Sequence, residues 1–469
     1  MKRFQSLAQT LTAAIRAGTF QPGERAPSVR RLCREYHVSP ATVQRAYELL
    51  EAQGLIDIRP RSGAYVSAPR RAPPRAAAVS SRAAPSTRVD SGEQVLAILA
   101  AMRDRRIVPL GSAFPGPTLF PWARLSRYLG SSARQMDPLD TVQHLPPGDA
   151  GLRRQIARRY VRSGVAVDAE EIVITAGAME ALTLSLRVLT RPGDTIAIES
   201  PTFYACLLAA ESCGLNVVEI PVQPRTGLDL DALAAALQRH PIRACWFMTT
   251  LHNPTGVTLS EERKRALLEL LGARDVALIE DDVYAELQFG APARPAKAFD
   301  TDGRVLHCGS FSKSLAPGYR LGWVAAGRYA AAVQRAKVIA TLGTSLPIQL
   351  AVARMLREGG FDAHLKRLRA TLAAGQKHAL AAVHAEWRGA QIEPPCGGYF
   401  LWIELPPTVD ALAIHRRALE AGISIAPGPV FSARRGFGHY LRLNYGHPWT
   451  QSSTQAVARL GRLIAQATR

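Results

Sequence analysis

The stretch Ser310-Phe311-Ser312-Lys313-Ser314-Leu315-Ala316-Pro317-Gly318-Tyr319-Arg320-Leu321-Gly322 carries the strongest chemistry in this chain. A lysine held at a strand end can condense with an aldehyde to a Schiff base, while Ser310, Ser312 and Arg320 offer hydroxyls and a bidentate cation to a phosphate. Three further stretches lie upstream. Asn253-Pro254-Thr255-Gly256 and Glu280-Asp281-Asp282-Val283-Tyr284 each follow an apolar run. Asn253 and Tyr284 can both reach the phenolate oxygen of a pyridoxal ring, and Asp281 can pair with its protonated nitrogen, keeping the ring an electron sink. Thr175-Ala176-Gly177-Ala178-Met179-Glu180 joins a strand to a helix. There the backbone N–H groups of Gly177, Ala178 and Met179 point at an anion, as in a phosphate cradle. Phe203, just after Glu199-Ser200-Pro201, is placed to stack on the ring face.

These groups need a rigid frame. Short β-branched runs at Ile172–Thr175, Thr195–Glu199, Val217–Ile220, Ala244–Thr249, Val276–Glu280, Val305–Ser310 and Gly322–Ala326 read as buried strands. Helical patterns such as Met179–Leu189 and Ser260–Leu271 separate them, so the spacing predicts an α/β architecture around a mostly parallel sheet.

Taken together, the four motifs resemble a fold-type I pyridoxal-phosphate enzyme of the class I/II aminotransferase family over residues 91–469. The resemblance implies pyridoxal 5'-phosphate as cofactor, with Lys313 as the Schiff-base lysine and Asp281 and Tyr284 as its catalytic companions. It further implies that Gly177, Ala178, Met179, Phe203, Asn253, Ser310, Ser312 and Arg320 bind the cofactor. Arg442, in Tyr440-Leu441-Arg442-Leu443-Asn444, would hold the α-carboxylate of an amino acid, and Gly397–Trp402 would carry the first strand of a small C-terminal α+β subdomain. Two positions depart from the usual pattern. His144 stands where relatives often have a tyrosine that reaches the neighbouring subunit's cofactor phosphate, and Met179 replaces a frequent polar residue. His144 can still donate to a phosphate, and Met179 can contribute its backbone.

The first 66 residues carry a different signal. Helical periodicity runs from Phe4 to Ala17, and a second helix starts at a Ser28 cap and ends near Tyr36. His37-Val38-Ser39 turns into a third helix whose first residue is Pro40, where a missing N–H is harmless. Leu55–Ile58 and Ala64–Val66 then read as a hairpin with the basic tip Arg59-Pro60-Arg61-Ser62-Gly63, suited to the DNA backbone or minor groove. This block resembles the GntR-type winged helix-turn-helix. By that resemblance Ser28 and Arg30 touch DNA, Ser39, Ala41, Thr42, Gln44 and Arg45 line the recognition helix, and Arg61 and Gly63 sit in the wing. Many relatives have arginine where this chain has Pro40.

Between the blocks, residues 67–90 are rich in Pro, Ala, Ser and Arg without periodicity and read as a flexible basic linker. The net charge is +20, and residues 1–90 hold 15 Lys/Arg against 6 Asp/Glu, an imbalance suited to an anionic partner such as DNA. The six cysteines are scattered, with no CxxC pair and no metal-ligand spacing, as expected of a reducing cytoplasm and no metal site. No apolar run is long enough for a membrane span. A winged helix-turn-helix followed by an aminotransferase-like domain resembles the MocR subfamily of bacterial regulators. That resemblance implies a homodimer on paired operator half-sites in double-stranded DNA, sensing an amino acid or amine at the cofactor. A working transaminase that carries a DNA-binding domain is the alternative, because a full catalytic set is present. A binding module that has lost its cofactor conflicts with Lys313 and Arg320.

Overall fold

The computed structural model describes residues 3–16, 19–20, 23–52, 55–59, 63–67, 86–88, 104 and 106–468. Contacts divide the chain into two units, Met1–Ser80 and Ser81–Arg469.

In the first unit, helices α1 (Arg3–Arg16), α2 (Val29–Tyr36) and α3 (Pro40–Ala52) precede a hairpin of β1 (Ile56–Arg59) and β2 (Gly63–Val66). Ser28 caps α2 by accepting from Arg31 N, and His37 ends it in the left-handed region at φ 48°. Ser39 Oγ accepts from Thr42 N at 3.2 Å and so opens α3. Leu7 and Leu11 from α1, Leu32 from α2, Val43 and Leu50 from α3, and Ile56 from the hairpin close one core. Gly23–Ala26 adds to the hairpin: Gly23 N and Ala26 N donate to Val66 O and Ala64 O, each at 2.8 Å. Sequence periodicity hides this third strand-like segment because it spans only a few residues. The wing tip, with Arg61, lies outside the described residues.

The second unit holds a nine-stranded sheet in the order β3-β6-β5-β8-β9-β10-β11-β4, with β7 beside β6. Its strands are β3 (Thr87–Arg88), β4 (Ile172–Thr175), β5 (Thr195–Ser200), β6 (Asn216–Gln223), β7 (Gly227–Leu228), β8 (Ile242–Phe247), β9 (Ala277–Asp281), β10 (Val305–Ser310) and β11 (Gly322–Ala325). The run β6-β5-β8-β9-β10 is parallel, whereas β11 is antiparallel to both β10 and β4. Parallel strands covered by helices on both faces bury every residue, which is why β9 and β10 show unbroken burial rather than alternation. Thr87–Arg88, inside the segment read as linker, pairs antiparallel with Asn216 and Val217 and forms the sheet edge. A two-residue strand carries no periodic signal.

The small sheet is antiparallel in the order β12-β13-β15-β14, with β12 (Gln391–Ile392), β13 (Phe400–Glu404), β14 (Ala426–Pro427) and β15 (Tyr440–Asn444). The strand expected to be first, in Gly397–Trp402, is therefore second, preceded by the two-residue β12. Among the described residues no helix is long and apolar enough to cross a membrane.

Candidate functional site

The adjacent parallel strands β9 and β10 each deliver one chemical group at or just past their ends. Asp281 is the last residue of β9, and Lys313 lies in the turn after β10. The Lys313 ammonium donates to Ala113 O at 2.8 Å and sits 3.7 Å from the Phe114 ring centroid. Burial first, then the neighbouring guanidinium groups of Arg442 and Arg320, bring its pKa down to about 7. Asp281 is fully buried, and burial together with the charge of Asp282 pushes its pKa up to about 7. Its Oδ1 has no hydrogen-bond partner among the described residues. A buried carboxylate oxygen left without a donor is costly unless a ligand supplies one.

Asn253 is wholly buried and links two other groups: its Nδ2 donates to the Tyr284 hydroxyl at 3.2 Å, and its Oδ1 accepts from Arg442 Nη1 at 3.1 Å. Burial raises the Tyr284 pKa well above its ordinary value, so the phenol stays protonated. Arg442, on β15, has no surface exposure and no carboxylate partner among the described residues. Its Nη2 donates to Gly111 O and Ser112 O, its Nε has no partner among the described residues, and the Phe400 ring lies 4.1 Å from its guanidinium carbon. Asn444, two residues along the same strand and so on the same face, donates to Ser112 O and Phe114 O, both at 2.8 Å. Tyr399 donates to Ala113 O at 3.0 Å. The segment Gly111–Phe114 thus ties Lys313, Arg442, Asn444 and Tyr399 into one cluster.

A second cluster forms at the start of the helix Ala178–Leu189. Gly177 adopts φ 85°, and a Cβ on it would lie 2.5 Å from Arg320 Nη2. Only glycine lets the guanidinium close on the helix N-terminus. Arg320 Nη1 also donates to Ser312 Oγ at 2.8 Å, so Gly177, Ala178, Ser312 and Arg320 converge. The Ser310 hydroxyl donates to Leu321 O at 3.2 Å and accepts from Ser312 N at 3.1 Å, and as a hydroxyl it can rotate to another acceptor. Met179 is partly buried against the apolar core beneath the helix. Glu180, unassigned from sequence, accepts from Ala176 N, Lys337 Nζ and Thr341 Oγ1 at 2.6 to 2.7 Å and anchors the loop that precedes Gly177.

Phe203 caps the helix Tyr204–Ser212, its ring 4.5 Å from that of Tyr204. His144 joins neither cluster within the chain. Its Nε2 lies 2.9 Å from Gln349 Nε2, which also donates to Thr344 O. Pairing with that amide nitrogen requires His144 Nε2 to be the acceptor.

These residues fit pyridoxal 5'-phosphate: an orphaned acidic oxygen for a ring nitrogen, an Asn–Tyr pair for a phenolate, a lysine with a lowered pKa for an aldehyde, and a glycine–arginine cradle for phosphate.

In the first unit, Ser28, Arg30, Ser39, Ala41, Gln44 and Arg45 are exposed and Thr42 is half-buried. Ala41, Gln44 and Arg45 share one face of α3, opposite Val43, Ala46 and Leu50 in the core. Thr42 and Ser39 hydroxyls lie 2.9 Å apart, so both serve the cap as well as that face. Gly63, at φ 109°, packs against Arg25, where a Cβ would lie 2.9 Å from Nε. Arg25 is an exposed cation at the wing base that no motif had singled out.

Residues 140–460 match the aminotransferase class I and II model, and residues 4–66 match that of bacterial regulatory proteins, gntR family. The uncharacterized HTH-type transcriptional regulator YdcR of Escherichia coli is 44% identical over 99% of this chain and 100% of its own length. The chain belongs to the MocR subfamily of GntR-type transcription regulators. The HTH-type transcriptional regulator TauR of Rhodobacter capsulatus is 32% identical to this MocR-type regulator over 98% of the chain and 96% of its own length. Among solved structures, α-aminoadipate aminotransferase LysN of Thermus thermophilus, complexed with N-(5'-phosphopyridoxyl)-L-leucine, superimposes with a TM-score of 0.74. It shares 30% identity and covers 81% of this chain and 96% of its own. The chain is thus a transcription regulator with a DNA-binding helix-turn-helix and an aminotransferase-like domain.

Proposed function

We propose that this regulator holds pyridoxal 5'-phosphate at Lys313, senses an amino acid or amine there, and as a homodimer passes occupancy to two readers on paired half-sites of double-stranded DNA. The observation that carries the reading is Arg442. A guanidinium buried with no carboxylate among the described residues, joined to Lys313 through the shared segment Gly111–Phe114, is stabilised by an incoming carboxylate.

When bound, the cofactor supplies an aldehyde and an electron-withdrawing ring. Lys313, about half of it free amine at pH 7, supplies the amine for that aldehyde. Asp281 holds a proton at the ring nitrogen, and Asn253 and Tyr284 donate to the phenolate. Arg320, Ser310, Ser312 and the N–H groups of Gly177, Ala178 and Met179 hold the phosphate, and Phe203 covers the ring face. Arg442 orients the effector's carboxylate, with Asn444 holding the surrounding carbonyls in place.

The homodimer is supported by exposed apolar side chains around His144. Leu139, Val142 and Leu145 flank it, and Leu342 lies in the adjoining segment, where Gly343 approaches His144 O. In the dimer His144 reaches the partner's phosphate. Residues 1–66, 67–90 and 91–469 act as reader, linker and sensor, the linker lying mostly outside the described residues, and the regulator works in the cytoplasm. Effector binding closes the small subdomain and changes how the linkers hold the readers, a coupling between two sites.

The test is the visible absorption spectrum of the full-length protein titrated with single amino acids, beside DNA binding in the same buffer. A band shift by one amino acid that also changes operator affinity, with both responses lost in Lys313→Ala, supports the reading. A normal DNA response in Lys313→Ala overturns it.

A second reading, a working transaminase, is favoured by the intact set Asn253, Asp281, Tyr284, Lys313 and Arg442. Among relatives, the 2-aminoadipate transaminase of Thermus thermophilus is 32% identical over 76% of this chain. Steady conversion of an amino donor with a keto acid distinguishes it from sensing.

A further inference from the structure

One cation of the first unit is not among the residues placed against DNA. Arg25 lies on the short segment Gly23–Ala26 that pairs with β2. Gly23 N donates to Val66 O, Val66 N to Glu24 O and Ala26 N to Ala64 O, each at 2.8 Å. In that pairing Arg25 stands opposite Tyr65, and residues opposite one another share a face of the sheet. The alternate residues Ala26, Ala64 and Val66 are buried, so Arg25 points to the solvent face, where it is exposed.

Its guanidinium rests on the wing. A Cβ on Gly63 would lie 2.9 Å from Arg25 Nε and 3.1 Å from Nη2, so only a glycine there lets the guanidinium settle on the backbone. Gly63 pairs with Arg59 in the last register position of the hairpin, which puts the charge beside the turn. At its other end the segment is tied to the recognition helix, because Pro27 O accepts from the hydroxyl of Tyr47, a buried residue of α3. Ser28 follows and caps α2. Arg25 is therefore held between two parts of the reader assigned to DNA, the start of α2 with Ser28 and Arg30 and the wing with Gly63. No acid takes its charge: Arg31 pairs with Glu35 at 2.7 Å, whereas Arg25 forms no ion pair among the described residues.

We propose that Arg25 is a further DNA contact, its guanidinium taking a backbone phosphate between the start of α2 and the wing. The inference rests on the winged helix-turn-helix meeting DNA through those two elements. A planar guanidinium can give two parallel N–H groups to two phosphate oxygens. The three backbone hydrogen bonds and the Tyr47 contact fix the segment before DNA arrives, so little backbone freedom is lost on binding. A phosphate contact positions the protein and carries no base information, so its effect is the same on every sequence.

The experiment is a salt titration of DNA binding by the full-length protein, read by fluorescence anisotropy on two labelled duplexes of about 40 bp, one A·T-rich and one G·C-rich. Each phosphate contact contributes about 0.9 to the slope of log affinity against log salt. Arg25→Gln should lower the slope by about 0.9 for each reader engaged and weaken both duplexes by the same factor, roughly fivefold or more at about 0.1 M salt. Arg25→Lys restores the charge and should restore the slope, and both variants should melt with wild type because the side chain is exposed. An unchanged slope in Arg25→Gln, a loss confined to one duplex, or a slope that Arg25→Lys does not restore overturns the proposal. Arg30→Ala separates this contact from the reading beneath it: a flatter slope there beside an unchanged one in Arg25→Gln leaves the reader standing and removes Arg25 alone. Wild type that binds neither duplex overturns the DNA reading and this contact with it.

Discussion

The lowered pKa of Lys313 makes a quantitative claim about how fast it captures an aldehyde. An ordinary lysine titrates at 10.5, and the surroundings of Lys313 bring it to about 7 through burial, with Arg442 and Arg320 adding repulsion. At pH 7 about half of Lys313 is then free amine, against roughly one molecule in three thousand for an unperturbed side chain, a gain on the order of a thousandfold in reactive form. The assay is the rate at which apo-protein develops the visible band when mixed with pyridoxal phosphate, between about pH 5.5 and 9.5. After correction for the reagent's own ionisation, the rate should climb about tenfold per pH unit below neutrality and level off above it. Arg442→Gln removes the larger of the two cationic contributions, so the bend should move to higher pH while the plateau stays. Lys313→Ala supplies the blank. A rate in wild type that rises with unit slope through pH 9 would place the amine near its ordinary value and refute the electrostatic account of the site.

Four other outcomes test separate parts of the structure. Arg442→Ala should weaken binding of amino acids by about 30-fold or more yet leave amines without a carboxylate unaffected, because a buried, hydrogen-bonded charge contact is lost; equal loss for both classes in a spectral titration would argue against carboxylate recognition. Gly177→Ala should drive Arg320 away from the helix N-terminus and strain a backbone held at φ 85°, so cofactor affinity measured by dialysis and the melting temperature of the apo-protein should both fall. Glu180→Gln leaves Lys337 buried without its counterion and should cost about 3–5 kcal/mol in denaturant unfolding. Burial alone would raise the Glu180 pKa, but the Ala176 N–H, Lys337 and Thr341 together hold it below 4.5, so the native state resists protonation. Its stabilisation is present above 4.5 and lost as pH falls through the lower native value, and the gap between wild type and Glu180→Gln should close over that acid range. Gln44→Ala, on the exposed face of α3, should reduce discrimination between operator and random DNA with an unchanged salt slope, whereas Arg30→Ala should flatten the slope.

Much of this molecule was legible in the sequence. The strands at Ile172–Thr175, Val305–Ser310 and Gly322–Ala325 and the caps at Ser28 and Ser39 could be read directly, because buried parallel strands and capped helices are local patterns with a local cause. Their order along the chain also placed Asn253, Asp281, Tyr284 and Lys313 at strand ends. What lies in no short window was decided only by the tertiary structure. Gly111–Phe114 meets Arg442, Asn444 and Lys313 across some 200 to 330 residues, and its carbonyls carry no side-chain signature. Glu180 finds Lys337 across 157 residues, and Ser310 turns its hydroxyl inward because Leu321 O lies beside it. Residue type and spacing determine which groups are available to do chemistry. Long-range packing determines which are left without partners, as with Asp281 Oδ1, Asp282 Oδ1 and Arg442 Nε, because burial and hydrogen bonding are properties of the folded neighbourhood and not of the chain.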